Sequence, residues 1–183
     1  SQQHDLSLKH QEWLVNKFKN VEAHTINLDE LFSAFSSSLS NFDNEHGMAN
    51  SRARLRMTTL YQVAAANKGI VVGTGNKVED FGVGFYTKYG DGGVDISPIA
   101  DCNKSEVWEL GKELGILKEI IDAPPTDGLW DDGRTDEGQL GFKYSELEDA
   151  MGNPNSPHRE QYEKIRNQNL HKMEPIPVCK IPS

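Results

Sequence analysis

Residues 73–95 read GTGNKVEDFGVGFYTKYGDGGVD, seven glycines interleaved with Lys77, Glu79, Asp80, Lys88, Asp91 and Asp95. Glycine lets a backbone approach a ligand closely and take positive φ. Alternating carboxylates and ammonium groups can together meet phosphate, metal and charged substrate groups. Gly73-Thr74 directly follow the apolar Ile70-Val71-Val72, so a backbone N–H and a hydroxyl are offered at the end of a strand to a phosphate or an adenine edge. Glu79, five residues on, is a candidate ligand for Mg²⁺, which favours carboxylate oxygens. Lys88 and Lys104 are candidate ligands for phosphate or carboxylate. The competing reading for each is a solvated surface lysine, and the surrounding glycines weigh against it. Thr126 follows Pro124-Pro125 and is a hydroxyl fixed at the start of a loop, while His171-Lys172 place two donors in a polar stretch near the end of the chain. Arg52, Arg54 and Arg56 alternate along a helix, so they point in different directions and cannot all serve one site. No Ser or Cys sits in an elbow motif, and the histidines lack zinc-ligand spacing. Covalent hydrolase and zinc-enzyme chemistry are therefore disfavoured.

The elements that must position these residues follow from periodicity and punctuation. An apolar stripe at Leu8, Trp13, Leu14 and Phe18 predicts a helix over 7–19. VEAHTINL at 21–28 predicts a short strand, 29–39 a helix and 41–47 a loop. Residues 48–67 give the clearest helix, with Gly69 placed to end it. Residues 70–72 then form a buried strand. Asn103 and Glu106 have capping-box spacing ahead of a helix ending near Gly115. The acidic, glycine-rich stretch 126–141 predicts loop and short turns, a mobile lid when no ligand is bound. Two further helices are predicted over 144–151 and 157–169, before a proline-rich extended tail. Strand–helix–strand alternation argues for an α/β domain, a parallel sheet flanked by helices.

Bulk properties limit the classes of function. With 183 residues the chain can form one domain with a real core. Its net charge of −9 is a poor basis for nucleic-acid binding, which needs a basic face. It leaves room for a nucleotide ligand held by a few local cations. Two cysteines, Cys102 and Cys179, make no disulfide framework. No apolar run reaches membrane-spanning length, and the N-terminus lacks a signal pattern. A soluble cytoplasmic protein is expected, with neither nucleic acid nor membrane as partner.

The glycine-rich block, with ARLRM before it and PPTDGLWDDGRTDEGQLG after it, resembles ammonia-dependent NAD synthetase over roughly residues 50–172. The resemblance implies a Rossmann-like fold of the adenine-nucleotide alpha-hydrolase type, usually in a homodimer. It implies that ATP adenylates the nicotinate carboxylate of deamido-NAD and that ammonia then displaces AMP to give NAD. Carried over position by position, Thr74, Lys104 and Thr126 would contact ATP, and Glu79 would bind Mg²⁺. Arg54, Asn50, Tyr61, Lys88, Asp95, His171 and Lys172 would contact deamido-NAD, with Arg56 a weaker match. Asp91, in the YGD triplet, would orient or deprotonate the incoming ammonium. Met173 stands where a basic residue often follows the His-Lys pair, and Gly75 where many relatives have an acid. The family's N-terminal strand and Ser-Gly-Gly-x-Asp-Ser phosphate loop do not occur in these 183 residues. Residues 1–183 are therefore expected to be a single partial domain, inactive alone. The alternative is a non-catalytic dinucleotide-binding or dimerisation module without that loop.

Overall fold

Helix formers separated by Gly, Pro and Asn breaks fold this chain as a succession of helices. A computed structural model describes residues 2–126, 128–130 and 133–181, with the side chain of Gln2 outside the described set. Helix α1 is Gln2–Lys17 and α2 is Asp29–Ser38. A short 3₁₀ turn, Ser40–Phe42, then leads into α3, Glu45–Ala66. The predicted loop at 41–47 is thus corrected in part. Asn44 Oδ1 accepts the Gly47 N–H at 2.8 Å, an N-cap that starts the helix ahead of Met48. At the other end Lys68 takes the left-handed backbone, φ 53°. The Gly69 N–H then reaches back to the Ala64 carbonyl at 2.8 Å, the longer bond of a Schellman closure.

A π-helical turn at Lys77–Val83 comes next, followed by α4 (Lys104–Glu113) and the single-turn α5 (Lys118–Ile121). Then come α6 (Asp136–Leu140), α7 (Tyr144–Gly152) and α8 (Arg159–Met173). The expected capping box opens α4, Glu106 Oε2 accepting the Asn103 N–H at 2.7 Å. The stretch 126–141 therefore contains one helical turn, α6, entered through Thr135, whose side chain accepts the Gly138 N–H at 3.1 Å. Asp127, Asp131 and Asp132 of the expected lid lie outside the described residues.

Val78 and Val83 of the π-turn pack with Phe142, Tyr144, Leu147, Ala150 and Tyr162 into one buried cluster, flanked by Trp108 and Ile165. The π-turn is thus pinned between α7 and α8. Gly84 ends it with φ 67°, and a Cβ there would stand 2.6 Å from Asn169 Cβ. Both the backbone sign and the close helix require glycine.

The predicted parallel sheet is reduced, among the described residues, to one parallel bridge between Val72 and Ile96. The Asp95 N–H donates to the Val71 carbonyl at 2.9 Å, and the Gly73 N–H to the Ile96 carbonyl at 2.7 Å. The Val71 N–H is taken by the Asp95 side chain at 2.7 Å instead of a neighbouring backbone. Pro98 lacks the N–H that a longer ladder would use. The expected strand at 21–28 is also corrected: it has no ladder partner among the described residues. A strand exists only as a relation between two backbones, and an alternating sequence cannot supply the second one.

Candidate active site

The glycine-rich block does not run as a free loop. Asn76, only 1% exposed, caps the π-turn, its Oδ1 accepting the N–H groups of Val78 at 3.0 Å and Glu79 at 3.1 Å. The Lys77 N–H joins the Cys102 carbonyl at 2.8 Å, which brings the turn beside the N-terminus of α4. Glu79 and Lys104 meet there. Lys104 Nζ lies 2.7 Å from Glu79 Oε1, and each side chain is 16% exposed. The same Oε1 accepts the Tyr144 hydroxyl at 2.5 Å. That hydroxyl also lies 3.2 Å from Asp136 Oδ2, while Lys104 Nζ sits 4.9 Å from the Tyr144 ring centroid. Burial, then Glu79 and Asp136, push the Tyr144 phenol far above its ordinary range, so it keeps its proton and acts as the donor. One hydroxyl carries one proton, and the shorter contact, to Glu79, takes it.

Asp80 follows Glu79 and turns toward Gly75, where an added Cβ would overlap its carboxylate. Burial first, then Glu79 and Asp91, push the Asp80 carboxyl up to about 6. No group of three or more His, Cys, Asp or Glu among the described residues could hold a metal alone. The donor set still fits Mg²⁺ carried on nucleotide phosphates, which needs only one or two protein carboxylates. Glu79 can supply one.

A small cleft of about 120 Å³ borders the later part of the block, lined among others by Asn50, Tyr86, Thr87, Asp91, Trp130 and Lys172. Thr87, 4% exposed, organises it. Its Oγ1 donates to Asn50 Oδ1 at 2.6 Å and its N–H to Asp91 Oδ1 at 2.9 Å. Lys172 Nζ donates to the Gly84 and Tyr86 carbonyls at 2.8 Å each, and the Tyr86 hydroxyl returns a bond to the Lys172 carbonyl at 2.6 Å. Burial lowers the Lys172 pKa against the opposing pull of Asp91. A larger open groove of about 1010 Å³ runs along residues 25–29, α2 and α3. Among the described residues expected to contact nucleotide, Arg56 borders it.

Five of the remaining expected residues fall into two short chains. Arg54 Nε donates to the Lys88 carbonyl at 3.2 Å, and Lys88 Nζ to the His171 carbonyl at 2.5 Å. Tyr61 donates to Asp95 Oδ1 at 3.2 Å beside the Val72–Ile96 bridge, and desolvation, then Asp95, raise its pKa. Thr126 Oγ1 accepts from Gln3 Nε2 at 2.9 Å and from the Gly128 N–H at 3.1 Å. The preceding Pro125 carbonyl takes the Asp136 N–H at 3.0 Å, linking this loop to α6. Thr74 is exposed.

The structure therefore brings Glu79 and Lys104 together, and Asn50, Asp91 and Lys172 together. His171 enters through its backbone carbonyl. Four organising residues escaped the sequence reading: Asn76, Thr87, Tyr86 and Tyr144. For Asn76 a signal existed. Asn76-Lys77-Val78-Glu79 has the same Asn-x-x-Glu spacing as Asn103–Glu106, the spacing of a helix start. For Tyr144 none existed, because its partners lie 65 and 8 residues away.

Comparison with known proteins bears on these geometries. The family model described as NAD synthase matches residues 1–181. The NH(3)-dependent NAD(+) synthetase of Carboxydothermus hydrogenoformans is 45% identical over 133 residues, 70% of this chain and 54% of that protein. The one from Alkaliphilus oremlandii is 40% identical over 169 residues, 91% of this chain and 64% of that protein. The chain thus spans between half and two-thirds of the length of these two curated relatives. Among solved structures, the NMN synthetase from Francisella tularensis is similar with a TM-score of 0.89 at 36% identity, over 98% of this chain and 74% of that one. The NH3-dependent NAD synthetase from Campylobacter jejuni, in complex with the nitrate ion, gives 0.67 at 25% identity, over 88% and 67% of the two chains.

Proposed function

The chain belongs to the NAD synthase family, and from that premise we propose that the protein it forms amidates deamido-NAD with ammonia at the expense of ATP. The reaction forms an acyl-adenylate at the nicotinate carboxylate with loss of pyrophosphate, and ammonia then displaces AMP. The observation that carries this reading is that one glycine-rich block, residues 73–95, supplies both Glu79 of the partly buried pair with Lys104 and the Tyr86, Thr87 and Asp91 that line a cleft with Asn50 and Lys172. One wall suits a triphosphate and its cation, and the other suits a carboxylated ring and an ammonium ion.

Thr74, Lys104 and Thr126 are assigned to ATP, and Glu79 to Mg²⁺, which when bound neutralises phosphate charge and orients the leaving pyrophosphate. Lys104 exchanges its contact with Glu79 for phosphate oxygen, so positive charge meets the negative charge that develops on the triphosphate. Arg54, Lys88, Asn50, Tyr61, Asp95, His171 and Lys172 are assigned to the pyridine nucleotide. Asp91, held by the Thr87 N–H, is assigned to orient the ammonium ion and accept its proton.

A second reading takes the mononucleotide as substrate, nicotinate mononucleotide being amidated by the same steps. It is favoured by the likeness to the Francisella tularensis NMN synthetase across 98% of this chain. Both readings place residues 1–183 in one synthetase domain of the adenine-nucleotide alpha-hydrolase type. There Val72 and Ile96 would belong to neighbouring strands of a parallel sheet, in a cytoplasmic homodimer. No described helix is long and apolar enough to cross a membrane.

The test supplies the full gene product with ATP, Mg²⁺, ammonia and either acceptor, and quantifies amide and AMP. Amide from deamido-NAD, with one AMP per amide, is the expected outcome. Amide from the mononucleotide alone selects the second reading. ATP stable in the presence of both acceptors overturns both.

A further inference from the structure

Tyr144 belongs to no residue set discussed for the reaction, yet it joins three segments, two of which, the π-turn and the start of α4, bear assigned ligand contacts. Its hydroxyl lies 2.5 Å from Glu79 Oε1 on the π-turn and 3.2 Å from Asp136 Oδ2 on α6. Its ring lies under Lys104 Nζ at 4.9 Å. The side chain is 1% exposed and belongs to the buried cluster, and Trp108 meets its ring edge-on at 6.1 Å. Its N–H is fixed as well, donating to Glu137 Oε1 at 2.9 Å. The ring is therefore immobilised from the backbone outward, and its hydroxyl is a fixed point.

Glu79 and Lys104, by contrast, sit at the ends of longer side chains that carry rotamer entropy. Without a fixed third partner, an ion pair between such side chains takes many geometries. We propose that Tyr144 is a positioning residue that holds Glu79 and, through the shared Oε1, Lys104, in a preset arrangement facing the glycine loop. When nucleotide phosphate draws Lys104 away, the Tyr144 hydroxyl stays on Glu79, so the carboxylate keeps one donor and its place. The Asp136 carboxylate lies 3.2 Å from the same hydroxyl, and its backbone N–H donates to the Pro125 carbonyl, next to Thr126.

The proposal rests on the assignment of Glu79 and Lys104 to Mg²⁺ and ATP, and its test separates the two ideas. Tyr144→Phe keeps the ring, its packing and the contact with Lys104, and removes the hydroxyl alone. In the full gene product, Mg·ATP affinity measured by isothermal titration calorimetry is expected to fall about tenfold, the scale for a lost hydrogen bond to a charged group. In the Glu79→Gln background the same change is expected to cost less than about twofold, because the charged partner is already gone. Equal losses in both backgrounds overturn the proposal. The second measurement needs no ligand. The rate of amine modification at Lys104, read by mass spectrometry, is expected to rise severalfold in Tyr144→Phe while its melting temperature stays within a few degrees of the parent. An unchanged rate overturns the proposal even if catalysis is altered. A protein that fails to bind Mg·ATP, yet shows the rise, overturns the functional reading and upholds the positioning role. Should Tyr144→Phe fail to fold, Asp136→Asn, which leaves the Glu79 contact in place, is expected to leave the Lys104 rate within about twofold. A rise severalfold above that would overturn the proposal.

Discussion

The two walls of the site hold their cations in opposite ways. On the wall proposed for nucleotide, Lys104 is paired with a carboxylate, Glu79. On the cleft wall Lys172 rests on the Gly84 and Tyr86 carbonyls, Lys88 on the His171 carbonyl, and Arg54 on the Lys88 carbonyl. A carbonyl orients a cation without cancelling its charge. On the cleft wall Lys88 and Arg54 therefore keep positive charge for a carboxylate or phosphate, while Lys172 has Asp91 acting on it; the wall proposed for nucleotide must exchange one ion pair for another. The first arrangement favours capture. The second favours discrimination, because only a ligand that compensates both Lys104 and Glu79 is accommodated without leaving a partly buried charge alone.

Removing Lys104 should break the contrast most severely. Lys104→Ala is expected to lower kcat/KM for ATP by about 10²–10³-fold, the range for losing one electrostatic contact to the reacting group; turnover within a factor of three of the parent would remove Lys104 from the site. On the cleft wall, Lys88→Ala and Arg54→Ala are expected to raise KM for the pyridine nucleotide about tenfold with little change in kcat. That gap should narrow as salt screens the exposed cations. Steady-state kinetics at two ionic strengths check this, and a loss confined to kcat would contradict it.

Asp80 lies between the walls and gives a pH-dependent prediction. Burial, with Glu79 and Asp91, raises its carboxyl from 3.8 to about 6. Folding thus favours the protonated form. The stability it contributes is full below about 3.8 and is lost as pH rises through about 6. Asp80→Asn should therefore melt higher than the parent at pH 8, by about 1–2 kcal/mol after allowance for partial solvent screening. The advantage should vanish toward pH 4, and a pH-independent difference in chemical denaturation would count against the assignment. The smallest effect is expected from Tyr86→Phe, which deletes the bond to the Lys172 carbonyl and should cost about 1 kcal/mol of stability, read by the same denaturation series.

Much of this was legible in the chain, for physical reasons. Local devices were visible: the Asn103–Glu106 cap, the long helix through Arg52–Arg56 and the helices after Lys143 depend on neighbours within a few residues. The pairing of Glu79 with Lys104 is not legible in the sequence: the resemblance gives one to Mg²⁺ and the other to ATP, and 25 residues separate them. Three things stayed hidden. The π-turn was read as loop, because its glycines spoke louder than its Asn-x-x-Glu start. The strands were overdrawn, because alternation shows a willing edge and not a partner. The organising residues Thr87 and Tyr144 went unnoticed, because a hydroxyl looks ordinary until its partners arrive from distant segments.

The nearness of Asp80 to Gly75 has a consequence for how this sequence can change over time. A side chain at 75 and a carboxylate at 80 compete for the same space. Gly75→Ala therefore requires the Asp80 carboxylate to turn to another rotamer, or position 80 to be shortened. The two sites are thus coupled in sequence drift: what position 75 tolerates depends on which residue stands at 80.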